Sequence, residues 1–222
     1  EWRVVNAGNF GMPQKRKRIF FIGYHKKNNF FKSLSQCVNE NWLVDNGTIF
    51  KAFSSSVKSK SSNEFYLPKD LITTSSEFGS NKKSLFRNAG LMINGKVLTF
   101  DVKDEYRGGL FPIKKVLYQG KISDDFFVDD EVQLDKWEKC KDRKTIPRKL
   151  KSGFSYNWSE GKMSFPDDIN KPSRTIITSE GGSSPSRTKH IIFVSNRHRR
   201  LIPVELERLN MFPSHFTRIG NK

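Results

Sequence analysis

The chain has 222 residues, and its 40 lysines and arginines outnumber its 23 acidic residues to give a formal charge of +17 at pH 7. Such an excess is typical of a protein that binds a polyanion, and nucleic acid is the leading candidate. An anionic membrane is disfavoured, because the sequence has no apolar run of 18 residues, no signal peptide and no long amphipathic basic helix. Cys37 and Cys140 lack disulfide or zinc spacing, which favours a reducing, intracellular setting.

The first half of the chain contains signals for a strand, a helix and a hairpin. RIFFIGY, residues 18–24, is apolar on both faces, which predicts a strand of an α/β sheet buried on both sides. NNFFKSLSQCVNENW, residues 28–42, predicts a helix, and Asn46-Gly47 a tight turn. The Ser- and Lys-rich residues 54–63 predict a mobile surface loop. Asn94-Gly95, between alternating apolar residues, predicts a hairpin over residues 91–102.

The second half contains signals for a charged helix, two strands and a closing helix. QLDKWEKCKDR, residues 133–143, predicts the charged helix. RTIIT at residues 174–178 and HIIFVS at residues 190–195 predict strands that enclose a Gly- and Ser-rich loop. Pro203 is placed to begin the last helix, with Leu206 and Leu209 on one face.

The basic cluster before the first strand has a regular spacing. In an extended chain Gln14, Arg16 and Arg18 share one face, while Lys15 and Lys17 lie on the other. An amide and two planar, permanently charged guanidinium groups in one row suit bidentate contact with phosphate or a base edge. The spacing fits a solvated basic start of a strand equally well, so spacing alone leaves both interpretations open.

Three segments resemble the DNA cytosine-5 methyltransferase family, in the order that the family has them. RVVNAGNFGMPQKRKRIFFIGY, residues 3–24, is similar to the segment that carries the Gln-x-Arg-x-Arg motif. KPSRTIITSEGGSSPSRTKHI, residues 171–191, resembles the later motif that supports the target-recognition domain, most closely in members acting on GGNCC-like sites. RRLIPVELERLNMFPSHF, residues 199–216, resembles the helix that follows. The resemblance identifies the chain as the C-terminal part of a type II restriction-modification methylase.

The resemblance implies roles for particular residues. Gln14, Arg16 and Arg18 match the motif that, in the family, lines the catalytic pocket and contacts the flipped cytosine or its flanking phosphate. The DNA-binding candidates lie in the later motif and in a base-reading loop, where glycines permit close approach and an arginine is placed to bond a guanine. These candidates are Arg174, Thr175, Ser179, Glu180, Gly181, Gly182 and Arg187. Pro203, Glu205 and Arg208 match the helix signature and are assigned a structural role.

Other family motifs have no counterpart in the sequence. The family's nucleophile is a cysteine after proline, whereas Cys37 follows Gln36 and Cys140 follows Lys139. The Phe-x-Gly-x-Gly cofactor loop and the Glu-Asn-Val motif are also missing. The resemblance therefore implies that S-adenosylmethionine is the cofactor of the whole enzyme but binds outside this chain, with no metal. The chain starts at Glu1 rather than Met, so we expect a piece of a longer DNA (cytosine-5-)-methyltransferase that is inactive alone.

The expected fold is an α/β fragment, the end of a Rossmann-like methyltransferase domain, followed by a loop-rich, mainly β target-recognition domain. The expected boundaries are residues 1–27 for the catalytic edge, 28–195 for the recognition domain and 196–222 for a hinge and return helix. The implied function is to bind a specific duplex site and help hold the flipped cytosine for methylation. Double-stranded DNA and the N-terminal catalytic half, in cis or as a subunit, are the implied partners, in the nucleoid of a bacterial cytoplasm.

A non-catalytic, sequence-specific DNA-binding protein with the same recognition fold is the alternative function. An RNA-binding protein is a weaker alternative, because the sequence lacks an RNP-like or Gly-x-x-Gly motif. Basic residues 195–200 suit either phosphate contact or a solvated loop. No chemistry is predicted for the paired acids or the histidines. The paired acids lack the spacing of a calcium-binding loop and are interpreted as turns and solvated faces. The histidines are scattered along the sequence. These acids and histidines are Asp124-Asp125, Asp129-Asp130, Asp167-Asp168, His25, His190, His198 and His215.

Overall fold

The computed structural model describes residues 1–34, 39–59, 61–67, 70–77, 84–151 and 153–217. The chain divides into two compact units. Unit 1 consists of Glu1–Gly11 and Arg16–Gly109, and unit 2 of Met12–Lys15 and the residues from Leu110 onward. These divisions do not coincide with the boundaries expected after residues 27 and 195, and the functional assignment of those boundaries stays a prediction.

Unit 1 is built on an antiparallel sheet of five strands in the order β2-β1-β5-β6-β4, with β3 paired to β7 beside it. Its strands and helices are β1 (Trp2–Asn6), β2 (Lys17–Phe21), α1 (Asn29–Leu34), α2 (Glu40–Asn46), α3 (Thr48–Ala52), β3 (Ser55–Val57), β4 (Asn63–Tyr66), α4 (Leu71–Glu77), β5 (Ala89–Ile93), β6 (Lys96–Phe100) and β7 (Val102–Asp104).

The core of unit 1 forms where α2 and α3 pack on β5 and β6. Leu43, Phe50, Leu91 and Phe100 are among its buried side chains. Arg3 is fully buried at its edge, where its guanidinium group pairs with Asp104 at 2.7 Å. The pairing offsets the cost of burying a charge and ties β1 to the end of β7.

Unit 2 combines helices with antiparallel strand pairs. Its elements are α5 (Glu131–Lys141), β8 (Lys144–Lys149), β9 (Ser155–Glu160), β10 (Ile191–Val194), β11 (Arg197–Arg200) and α6 (Pro203–Leu209). β8 pairs with β9, and β10 with β11. One core cluster contains Ile113, Ile192 and Leu209, and another contains Trp137 and Ile191. The architecture of the chain is therefore mixed α/β with antiparallel sheets.

Elements with strong local signals form as expected. Asn94 and Gly95 have φ angles of 50° and 85° in the turn between β5 and β6, as a hairpin of this type requires. The charged helix is α5, and Pro203 is the first residue of α6. HIIFVS contains β10.

Strand β2 differs from its prediction. It forms at the edge of the sheet, where β1 is its one partner among the described residues, and all five of its residues are exposed. The expectation of burial on both sides is therefore wrong for this chain. The predicted strand at residues 174–178 is also wrong, since those residues form no strand and the partner of β10 is β11.

Three further expectations are corrected in unit 1. Residues 54–63 contain β3, which pairs with β7, where a mobile loop was expected. Asn46-Gly47 is a junction between α2 and α3, with Gly47 at φ −60° and ψ 140°, and not a tight turn. The helix expected over residues 28–42 is represented by α1 and the start of α2, and residues 35–38, including Cys37, lie outside the described residues.

Candidate nucleic-acid interface

Gln14 joins the three motif segments within unit 2. Its side chain is only 6% exposed. The amide nitrogen donates hydrogen bonds to the Leu209 carbonyl at 3.1 Å and to Asn210 Oδ1 at 3.0 Å. The amide oxygen accepts a bond from the Ile176 backbone N–H at 3.3 Å. One side chain of the first motif thus connects the later motif to the end of the α6 signature.

Backbone hydrogen bonds hold the first two motif segments side by side. Ser173 N–H donates to the Pro13 carbonyl and Lys15 N–H donates to the Ser173 carbonyl, both at 2.8 Å. These bonds make a parallel bridge between Gln14 and Ser173. The Thr175 hydroxyl donates to the Lys15 carbonyl, so Thr175 contributes to the same junction.

Arg16 and Arg18 belong to unit 1 and are both exposed. The antiparallel register that places Arg18 opposite Val5 continues to Arg16, whose carbonyl accepts a bond from Ala7 N–H at 3.1 Å. Strand alternation therefore puts the two arginines on one face. Gln14 belongs to unit 2, where its side chain is buried, and a common row of all three groups stays a prediction.

Arg174 is engaged in a partly buried ion pair. Its guanidinium group bonds both oxygens of Asp167, at 2.7 and 3.1 Å, and also the carbonyls of Thr188 and Lys189. Burial alone would raise the pKa of Asp167, but the hydrogen bonds and charge of Arg174 outweigh it and hold that pKa below its usual range. Asp167 is thus not a solvated face, as the sequence analysis expected, and Arg174 fixes one end of the loop before β10.

A second buried cluster lies beside this pair. Lys141 Nζ donates to the Lys189 carbonyl and lies 3.9 Å from Asp167. Burial, aided by the charge of Arg174, lowers the pKa of Lys141 from 10.5 to about 8. Glu180 accepts a bond from His190 N–H at 2.7 Å and lies 3.0 Å from His190 Nδ1. These buried side chains anchor the loop that precedes β10.

The predicted base-reading residues therefore divide into two groups. Ser179, Gly181 and Gly182 are exposed at a tight turn in which Gly182 N–H donates to the Ser179 carbonyl at 3.1 Å. Glu180 is buried among the residues that anchor this turn. When buried polar side chains anchor an exposed turn that contains glycine, the backbone groups of the turn can approach a ligand closely.

Arg187 connects the same loop to the open end of the β8–β9 hairpin, where β8 begins and β9 ends. It donates to the Asp142 carbonyl at 2.6 Å, just before β8. It also pairs with Glu160 at 3.0 Å and donates to the Gly161 carbonyl, where β9 ends. Contact of this guanidinium group with a guanine would require these bonds to break, and its base-reading role stays a prediction.

The basic cluster at residues 195–200 is largely internal. Arg199 and Glu205 form a buried pair with two bonds, at 2.7 and 2.8 Å. Glu205 also accepts bonds from Tyr118 N–H at 2.9 Å and Ile202 N–H at 3.0 Å, which ties β11 to the start of α6. Arg208 donates to the Val116 carbonyl at 2.9 Å. The structural role expected of Glu205 and Arg208 agrees with these contacts.

The β8–β9 hairpin was not predicted from the sequence. Residues 143–162 contain six basic residues and one acid. Every residue of β8 is exposed, and β9 alternates between exposed and half-buried residues. The signal was present in the sequence as two alternating segments on either side of Gly153, flanked by lysines and arginines.

Among residues 1–34, 39–59, 61–67, 70–77, 84–151 and 153–217, no three His, Cys, Asp or Glu side chains are grouped as a metal site. None of the helices in that part of the chain has the length and apolar character needed to cross a membrane.

Comparison with known proteins gives a consistent result. The family model for C-5 cytosine-specific DNA methylase matches residues 1–222. The Type II methyltransferase M.Sau3AI of Staphylococcus aureus is 33% identical over 219 residues, which cover 98% of this chain and 51% of that protein. The Type II methyltransferase M.DsaV of Dactylococcopsis salina is 50% identical over 28 residues, 13% of this chain and 8% of that protein.

The chain thus spans about half the length of the first of these relatives. No solved structure matches it. The family match extends over the whole chain and includes all three segments that meet at Gln14. The chain belongs to the C-5 cytosine-specific DNA methylase family.

Proposed function

We propose that this chain is the target-recognition portion of a DNA cytosine-5 methyltransferase, which binds a specific duplex site and helps hold the flipped cytosine. The observation that carries the proposal is the family match over residues 1–222 together with the junction of the three motif segments at Gln14. The charge of +17 supports contact with a polyanion. The similarity to a Type II methyltransferase favours a restriction-modification system in a bacterial cytoplasm, acting at the nucleoid.

Base flipping defines what this portion contributes. Cytosine C5 is a poor nucleophile, so the reaction requires attack of a thiolate on C6 before methyl transfer. The base must first leave the duplex, at a cost of a few kcal/mol in lost stacking and pairing. Arg16 and Arg18 are exposed on one face and have the planar geometry to bond the extruded base or its flanking phosphate. Their contacts would offset part of that cost.

The cavity of unit 1 does not fit the cofactor S-adenosylmethionine. It has a volume of about 630 Å³, and most of its lining is apolar, including Ile19, Phe21 and Met92. The Glu1 carboxylate at its rim already accepts bonds from Thr48 N–H and Ile49 N–H, so it is not available to a ribose. We therefore assign the cofactor and the nucleophilic thiolate to the N-terminal half of the enzyme.

Strand β2 and this apolar cavity supply a surface for that N-terminal half. Ile19 and Phe21, which are 51% and 71% exposed, share one face of β2 and line the cavity, and among the described residues β2 is an edge strand of its sheet. An exposed apolar patch of this kind is typical of an interface. The relative from Staphylococcus aureus has about as much sequence outside the matched region as within it. We propose that the catalytic half, in cis or as a separate subunit, covers β2.

A complementation assay tests the proposal. The chain is mixed with a separately produced N-terminal half, and transfer of labelled methyl from S-adenosylmethionine to duplex DNA is measured. We expect methylation of a specific site with the mixture and none with either part alone. If both parts are folded and associate but transfer no methyl group, the enzyme assignment is wrong.

The alternative is a sequence-specific DNA-binding protein without catalysis. It is favoured by one feature of the sequence, namely that neither Cys37 nor Cys140 follows a proline. Both functions predict duplex binding that weakens steeply with salt, because cations released from the phosphates drive association. Binding without methylation in the complementation assay supports this alternative.

A further inference from the structure

The β8–β9 hairpin has two chemically different faces. Residues directly opposite in an antiparallel pair share a face. Ile146 lies opposite Trp158 and Arg148 opposite Tyr156, and the Arg148 guanidinium group is 4.5 Å from the Trp158 ring centroid. We call this side the aromatic face. The opposite side, here called the polar face, carries Thr145, Pro147, Lys149, Ser155, Asn157 and Ser159, all exposed.

The polar face has the functional groups that read base edges. An amide such as that of Asn157 can bond an adenine at two positions, and hydroxyl groups bond either kind of base. The side chains are short, so the backbone of a ribbon carrying them can approach a groove closely. Two strands lie about 4.8 Å apart, and the major groove, about 12 Å wide, admits a two-stranded ribbon.

The surroundings of this face favour DNA as the occupant. Among the basic residues of segment 143–162, Lys149 and Lys151 are exposed and carry charge that can contact phosphates beside a groove. Pro147 cannot donate a backbone hydrogen bond, and a proline or a lysine on an exposed strand discourages pairing with another protein strand. Tyr156 and Trp158 are half-buried on the other face, so the exposed side presents hydrogen-bonding groups rather than stacking rings. This arrangement suits a duplex better than single-stranded nucleic acid.

Arg187 fixes the base of the hairpin. Its bonds to the Asp142 and Gly161 carbonyls and to Glu160 join the start of β8 to the end of β9 at the open end of the hairpin. A two-stranded hairpin alone is marginally stable in water, so a clamp at its base sets the direction in which it projects. The clamp also joins the hairpin to the loop whose exposed turn contains Gly181 and Gly182.

We propose that the β8–β9 hairpin enters the major groove of duplex DNA with its polar face toward the base edges, so that Asn157 and Thr145 determine sequence preference, while Lys149 and Lys151 contact phosphates. Arg187 is a positioning residue for this hairpin. The inference rests on the proposed function, since it names the surface with which the target-recognition portion reads its site.

Selection from random duplexes tests the inference. The whole 222-residue chain is incubated with 30-base-pair duplexes whose central 12 base pairs are randomised, and the bound fraction is sequenced. Asn157→Ala with Thr145→Val should reduce the preference at one or two base-pair positions about fivefold to a hundredfold, with little change in affinity for the unselected pool. Tyr156→Phe, on the aromatic face, is the matched control and should leave the preference unchanged.

Salt dependence tests the phosphate contacts. Lys149→Ala with Lys151→Ala should weaken binding to all duplexes and lower the slope of log K against log salt by about 2. Lys26→Ala with Lys27→Ala removes the same charge from two exposed lysines of unit 1 and should change that slope less.

Three outcomes would overturn the inference. If the chain selects a sequence and the hairpin variants select the same one with the same affinity, the reading surface lies elsewhere and the proposed function stands. If the chain binds single-stranded DNA more tightly than duplex and the hairpin variants abolish that binding, the groove assignment is wrong. If it binds no duplex at low salt, both the inference and the proposed function are wrong.

Discussion

Replacement of Gln14 by leucine is the sharpest test of the junction in unit 2. The change keeps the approximate volume but removes the amide that bonds the Leu209 carbonyl, Asn210 and Ile176 N–H. A buried backbone group left without a partner costs about 1–3 kcal/mol. The Leu209 carbonyl is buried and Ile176 N–H partly so. Burial of the more apolar leucine side chain in place of glutamine offsets about 1 kcal/mol of this loss of stability. We expect a net loss of about 2 kcal/mol in the free energy of unfolding.

Urea denaturation followed by tryptophan fluorescence, to which the buried Trp137 contributes, measures the effect together with amide exchange at Ile176. Gln133→Leu, at an exposed position of α5, is the control and should change the free energy of unfolding by less than about 0.5 kcal/mol. If Gln14→Leu is as mild as the control and Ile176 exchange is unaltered, the junction contributes nothing to stability. A loss of methyl transfer by that variant in the reassembled enzyme would then place Gln14 at the catalytic pocket.

Three more outcomes are expected. Arg16→Ala with Arg18→Ala should reduce turnover of the reassembled enzyme far more than duplex binding; equal losses would mean that the two side chains only hold phosphate. Since the pKa of Lys141 is about 8 when folded and 10.5 when unfolded, the unfolded chain binds more protons between these values, and stability should rise with pH there by up to about 3 kcal/mol. Lys141→Met should remove that rise in urea titrations at pH 7.5 and 10.5, and an unchanged rise would assign it to other groups. Arg187→Ala should speed amide exchange across β8 and β9 in addition to altering the preferred site; a change of preference with unaltered exchange would indicate direct contact with a base.

Local chemistry explains the parts of the fold that the sequence predicted well. The Asn94-Gly95 turn depends on two residues that tolerate positive φ, and that tolerance is a property of those residues alone. The start of α6 depends on the fixed φ of Pro203. Neither element required knowledge of a distant partner.

The failures share a different cause, because the deciding contacts are distant in sequence. Residues 174–178 have the composition of a strand, but the Ile176 N–H bonds the Gln14 side chain, 162 residues away. Residues 55–57 have the composition of a loop and become β3 through pairing with Val102–Asp104. Propensity is overridden in both cases by tertiary partners that pattern reasoning does not see.

The candidate site divides in the same way. The family motifs located Gln14 and Arg174, but no local rule predicted that both would be engaged within unit 2. Likewise, the basic residues 195–200 have the composition of a phosphate site, but Arg199 is buried in an ion pair with Glu205. Charge in a sequence shows what a side chain is able to bind, and the fold decides which partner it takes.

The membership of Met12–Lys15 in unit 2 has a consequence for synthesis on the ribosome. Gln14 leaves the exit tunnel before its partners at positions 209 and 210, which are 195 and 196 residues later in the chain. At bacterial translation rates of about 5–20 residues per second, the early segment waits roughly 10–40 seconds for them. A nascent chain must keep Met12–Lys15 accessible throughout that interval. If unit 1 folded first and buried this tetrapeptide, unit 2 could not be completed.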